Sequence, residues 1–267
     1  MSRRTLGAAA AFLLTGTALV GCAAAETEPG SSKQADPAPT ETESTPTPTK
    51  SDPEPTAEPD PQPEFDRTAH SIDDPMSIWV VSNKQRPLDP IDFAPSDLSM
   101  PEGVENEFSQ PLREPAARAT EALVAAAAED GQNVRIISAY RDYATQVSLY
   151  DSYVARDGQE AADTYSARPG HSEHQTGLAV DFDDHGSCYL AACFGETPAG
   201  EWLAENAAEY GFVLRYPEGM EQVTGFTYEP WHFRYVGPKL AAEMQRTKTA
   251  TLEEFFELGA APGYAAS

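Results

Sequence analysis

The chain has 267 residues, enough for one domain of ordinary size or two small ones. Its 18 basic and 43 acidic residues give a formal charge of −25, which argues against binding nucleic acid or anionic lipid surfaces, since both need clustered Lys and Arg. A hydrophobic share of 40% can build a core, but 23 prolines are too many for one compact domain, so they are expected to be concentrated in one segment.

The first 21 residues have a basic start, Arg3-Arg4, and an apolar run from Leu6 to Val20. The run is shorter than a spanning helix needs and has the layout of a secretory signal peptide. Leu19-Val20-Gly21-Cys22 resembles the lipobox of bacterial lipoproteins, which implies lipidation of Cys22. From Glu26 to Glu64 there are ten prolines, ten acidic residues, two lysines and no aromatic residue. Such a stretch cannot bury enough apolar surface to fold, so residues 22–64 are read as an acylated cysteine and a Pro/Thr/Glu-rich stalk. The remaining thiols, Cys188 and Cys193, are expected to pair in an oxidising compartment, a short ring contributing about 2 kcal/mol. A zinc site built on them would need two further Cys or His, and only His185 is close.

The folded part, residues 65–258, opens with an expected strand at Ile78–Val81. Leu112, Ala116, Ala119 and Leu123 recur at helical spacing and predict a helix over Pro115–Glu129, with proline tolerated in its first turn. Val134–Ser138 reads as a strand, and the next helix carries Tyr143, Val147, Tyr150 and Val154 on one face. Gly177–Asp183 reads as a strand, Trp202–Tyr210 as a helix ended by Gly211, and Phe212–Tyr216 and Tyr228–Tyr235 as strands. One or two short helices close the domain, the clearest at Leu252–Leu258, with residues 259–267 expected as a flexible tail. Helices early and strands late, without βαβ alternation, predict a single α+β domain with a small, mainly antiparallel sheet and flanking helices.

Five histidines occur, and two stand in informative surroundings: Ser172-x-His174-x-x-Gly177-x-Ala179-x-Asp181 and Glu229-x-Trp231-His232. His174, Asp181 and His232 would make the three protein ligands of a catalytic zinc, with one position open for water. Glu229, held extended or in a turn before Pro230, suits a general base. The alternative is that these are ordinary structural residues of strands. Tyr140-Arg141 stands where a strand gives way to a helix, and Gln146 follows about one helical turn later. A guanidinium there suits a carboxylate or an oxyanion; the alternative is a surface arginine paired with Asp142. His171 and His185 are read as loop residues, His171 facing solvent.

Taken along the chain, Tyr140-Arg141 with Gln146, then Ser172-x-His174-x-x-Gly177-x-Ala179-x-Asp181, then Glu229-x-Trp231-His232 resemble the D-alanyl-D-alanine carboxypeptidases of the VanY type, zinc peptidases whose relatives include VanX dipeptidases and L,D-carboxypeptidases. The similarity runs from Val81 to Gly237. It implies one zinc ion on His174, Asp181 and His232, Glu229 as the catalytic base, Arg141 on the scissile carbonyl or the substrate, and Gln146 and Ser172 lining the pocket for a terminal carboxylate. It also implies removal of the last D-alanine from peptidoglycan stem peptides, an activity independent of serine. An L,D-carboxypeptidase or a D-Ala-D-Ala dipeptidase is the alternative. A wall-binding lipoprotein without catalysis would be expected to lack Glu229 or a ligand, and none is missing. The expected setting is export, a lipid anchor in the cell membrane facing the wall, and a monomer with no nucleic-acid partner.

Overall fold

The computed structural model describes residues 64–265. The expected leader, Cys22 and the stalk up to residue 63 lie outside the described residues. Seven helices and two small sheets make up the domain. A two-stranded ribbon pairs β1 (Leu98–Ser99) with β2 (Leu112–Arg113), which runs directly into α1 (Glu114–Glu129). Pro115 occupies the first turn of α1, where its missing N–H costs nothing. The main sheet contains β3 (Arg135–Ser138), β4 (Ala179–Asp183), β5 (Phe212–Leu214) and β6 (His232–Tyr235) in the order β3-β4-β6-β5, all antiparallel. Between β3 and β4 run α2 (Tyr143–Asp157) and α3 (Gln159–Ala162). α4 (Pro198–Asn206) and α5 (Glu221–Thr224) flank β5, and α6 (Pro238–Thr247) and α7 (Leu252–Phe255) follow β6. The expected α+β class with a small antiparallel sheet is observed.

Both faces of the sheet are buried, but with different chemistry. Ile136, Val180, Phe182, Phe212, Phe233 and Tyr235 pack with Leu112 and Leu123 into the main core. A fully buried Phe or Leu side chain contributes about 1.5–3 kcal/mol. Strand alternation then sends Asp181, His232 and Arg234, all buried, to the opposite face. A second apolar cluster joins Trp79 and Val81 to Leu240 and Met244 of α6 and to Leu252 and Phe255 of α7.

Two expectations need correction. Ile78–Val81 is not a strand: it is an irregular buried segment whose Ile78 and Val80 carbonyls accept hydrogen bonds from Arg234 instead of from a neighbouring strand. The one or two short helices expected after the last strand are α6 and α7. Residues 259–264 are docked, not free: the Ala261 amide donates to the Val223 carbonyl, and Tyr264 stacks on Arg168 while its hydroxyl accepts from the Arg168 amide. An amphipathic tyrosine gives the tail an anchor that its Gly/Ala/Pro composition conceals.

Candidate active site

The pairing of β4 with β6 sets Asp181 directly opposite His232. His174 comes from the 3₁₀ turn Glu173–Thr176 that leads into β4 and ends at Gly177, whose φ is +67°. A Cβ at Gly177 would lie 3.0 Å from Arg113 Cγ and 3.1 Å from Leu98 Cδ2. Both conformation and space therefore call for glycine. His174 Nδ1 is 2.7 Å from the Ala139 carbonyl; a carbonyl only accepts, so Nδ1 carries the hydrogen and Nε2 is left as the donor atom for an ion. That Nε2 lies 3.3 Å from Asp181 Oδ2, and His232 Nδ1 lies 2.9 Å from Asp181 Oδ1.

One ligand atom from each of His174, Asp181 and His232 falls within 4.8 Å of the other two. Asp181 Oδ1 is buried and makes no hydrogen bond, despite its closeness to His232. Two imidazole nitrogens and a carboxylate oxygen, converging with an orphaned oxygen among them, fit a three-ligand catalytic zinc site. Burial works to raise the Asp181 pKa, but His174 and His232 hold it well below the usual carboxylate range. Burial also opposes charge on His232, yet the carboxylates of Asp181 and Glu173 push it up to about 9.

The site opens into a cleft of about 940 Å³, also lined by Glu229, Arg141, Ser172 and Trp231. The Glu229 carboxyl stands 3.8 Å from His232 Nδ1. Burial, with Asp181 adding to it, pushes its pKa up to about 8 against the pull of His232 and Arg141. Asp142 does not pair with Arg141; it caps α2 by accepting from the Thr145 amide at 2.7 Å. Arg141 Nε is buried without a partner, leaving the guanidinium to face the cleft. Gln146 departs from expectation. Its position on α2 turns it behind the cleft wall, where Nε2 donates to the Ala167 carbonyl at 2.6 Å and so holds the 166–167 segment. His171, expected to face solvent, is half-buried, its Nδ1 donating to the Asn83 carbonyl. His185 is 3.3 Å from Glu105, away from the cleft lining. Cys188 and Cys193 form the expected disulfide and brace a loop whose Tyr189 and Leu190 line the cleft.

Sequence reading missed a buried ionic cluster behind the ligands. Glu173 Oε1 accepts from Arg215 Nε and Arg234 Nη1, both at 2.9 Å, and Arg215 forks onto Glu253 at 2.7 and 2.9 Å. Its one visible signal is an arginine inside each of two otherwise apolar, aromatic runs, Phe212–Tyr216 and Trp231–Val236.

A helix-flanked antiparallel sheet that gathers two histidines and an aspartate at the floor of an open cleft, with a carboxyl group beside them, defines a metallopeptidase. The chain belongs to the VanY family of D-alanyl-D-alanine carboxypeptidases, whose family model matches residues 109–238. It is 40% identical over 193 residues to YodJ of Bacillus subtilis (strain 168), covering 70% of each chain. Among solved structures it is similar to the LD-carboxypeptidase LdcB, with 41% identity, a TM-score of 0.64, and coverage of 68% of this chain and 87% of that one. It is also similar to a variant of the vancomycin-resistance D,D-pentapeptidase VanY in complex with Zn(II), with 31% identity, a TM-score of 0.55, and coverage of 66% and 97%.

Proposed function

We propose that this protein is a zinc-dependent D-alanyl-D-alanine carboxypeptidase that removes the terminal D-alanine of peptidoglycan stem peptides. The observation that carries the reading is the convergence of His174, Asp181 and His232 within 4.8 Å, in a cleft that also holds Glu229 and the unpartnered Arg141. A zinc ion on those three residues supplies Lewis-acid polarisation of a carbonyl and a lowered pKa for water. Glu229 takes the proton from the attacking water and returns it to the departing D-alanine amine. Its buried, raised pKa suits both halves of that transfer. Arg141 binds the terminal carboxylate or the oxygen of the scissile carbonyl, where a partly buried cation without a partner is a strong donor. Ser172 lines the same cleft and offers a hydroxyl, and Gln146 acts one layer back by fixing the cleft wall. No group on the protein needs to be acylated, so reagents that trap a catalytic serine should leave the activity intact.

A second reading, an L,D-carboxypeptidase acting on tetrapeptides, is favoured by the 41% identity to LdcB. Mass spectrometry of a muramyl-type pentapeptide and tetrapeptide, each with zinc and with a chelator, separates the two. Chelator-sensitive loss of one D-alanine from the pentapeptide alone supports the D,D assignment. Loss from the tetrapeptide alone moves it to the L,D branch, and no cleavage of either rejects both. The setting we propose is an exported chain tethered through lipidated Cys22 on the 22–64 stalk, acting as a monomer on nearby wall. The Cys188–Cys193 disulfide suits an oxidising compartment. Cys22→Ser should move the protein from the membrane fraction to the soluble one; unchanged membrane retention would reject the lipid tether.

A further inference from the structure

Glu173 immediately precedes the ligand His174, and its own side chain joins the fully buried ionic cluster behind the ligands. Its two oxygens have different tasks. Oε1 is occupied by Arg215 and Arg234. Oε2 has no hydrogen-bond partner and lies 3.6 Å from His232 Nε2, which is itself buried and unpartnered. His232 thus sits between two carboxylates, with Nδ1 turned to Asp181 and Nε2 turned to Glu173. An imidazole can present Nδ1 to an ion only if its remaining hydrogen is on Nε2, and a carboxylate facing Nε2 enforces that tautomer and ring orientation.

We infer that Glu173 is a positioning residue for the metal site: clamped by Arg215 and Arg234, it holds His232 by Nε2 so that Nδ1 faces the cleft. The two arginines make this possible. Both arginines donate to Glu173 Oε1, and Arg234 is itself tied to the Ile78 and Val80 carbonyls, so Glu173 cannot swing away from the ring. The cluster holds two arginines and two glutamates, so its charge is balanced without a contribution from His232. Glu253 belongs to the same cluster but is bonded to Arg215 and Asn83, and it supplies an internal control.

The inference rests on the zinc reading above, and the test separates the two. Zinc affinity of the purified protein would be measured by competition with a chromophoric chelator, for wild type, Glu173→Gln and Glu253→Gln, beside the thermal stability of each metal-free protein. Glu173→Gln should weaken zinc binding about 10- to 100-fold, the range found when such outer partners are removed. Glu253→Gln should lower thermal stability while leaving zinc affinity within about twofold of wild type, on the same reasoning. Equal zinc affinity in Glu173→Gln and wild type, or equal losses in the two variants, would overturn the positioning role. Failure of wild type itself to take up zinc would instead remove the metal reading, and this inference with it. Should Glu173→Gln not fold, nitrogen-15 spectra of zinc-loaded wild type decide the matter. A slowly exchanging, downfield Nε2 proton on His232 supports the clamp, and a rapidly exchanging one or coordination through Nε2 rejects it.

Discussion

Glu229 and His232 carry the sharpest consequences at the level of single residues. Replacing Glu229 by Gln keeps shape and removes the proton acceptor, so zinc content should stay at one per chain while turnover falls about 10²- to 10⁴-fold, the usual worth of general acid–base catalysis. Metal analysis beside peptide hydrolysis checks this, and full activity in the variant would reject the assignment. His232 yields a pH dependence. With its pKa pushed up to about 9 in the metal-free protein, the ring is protonated at neutral pH and must lose that proton to ligate. Zinc affinity should therefore rise with pH up to about 9 and fall below it, with a proton released at pH 7. Calorimetry in buffers of different ionisation enthalpy counts that proton.

Elements, and not residues alone, create the site. The register of β4 on β6 places Asp181 against His232, and a slip of either strand by one residue would turn its own ligand away from the cleft. Gly177 ends the turn that delivers His174 and begins the run into β4. Gly177→Ala forces a left-handed conformation on alanine, at about 1–2 kcal/mol, and pushes a methyl toward Arg113 and Leu98. Urea unfolding should show a loss of at least that size, with zinc affinity reduced because His174 is displaced. Loop 188–193 is closed by its disulfide, and α2 is started by the Asp142 cap. Each fixes one wall of the cleft by local chemistry.

For the whole molecule, stability in acid follows from the buried cluster. Burial alone would raise the pKa values of Glu173 and Glu253, but Arg215, joined at Glu173 by Arg234, holds both below the ordinary glutamate value. The unfolded chain therefore binds protons first, and the cluster's stabilisation is complete above about pH 4.3. It drains away as pH falls through the lower native values. Melting temperature should be insensitive to this cluster between pH 6 and 8 and should drop steeply below pH 4. Glu253→Gln should flatten that acid limb, and an unchanged limb would show that other carboxylates control it.

The local signals in the sequence determined the classes of element and the chemical groups. Apolar periodicity marked α1 and the strands. His174, Asp181, His232, Glu229 and Arg141 were legible because each stands in a short run whose residue types have few other uses together, and the motif order carried the family. Other features depend on partners far along the chain and leave no local mark. Ile78–Val81 has a strand's composition, but no neighbouring strand is available, and Arg234 takes its carbonyls. Gln146 has the residue type of a pocket wall, but the rotation of α2 turns it to Ala167. Tyr264 stands within a tail of small residues, and only folding brings Arg168 beneath it. Glu173 shows the division most clearly: its place in the motif is a matter of sequence, whereas its work depends on two arginines 42 and 61 residues away. Periodicity reports which side of an element is buried. The pairing of buried charges is decided by the three-dimensional meeting of elements, because an ion pair in the interior stabilises only when both partners arrive together.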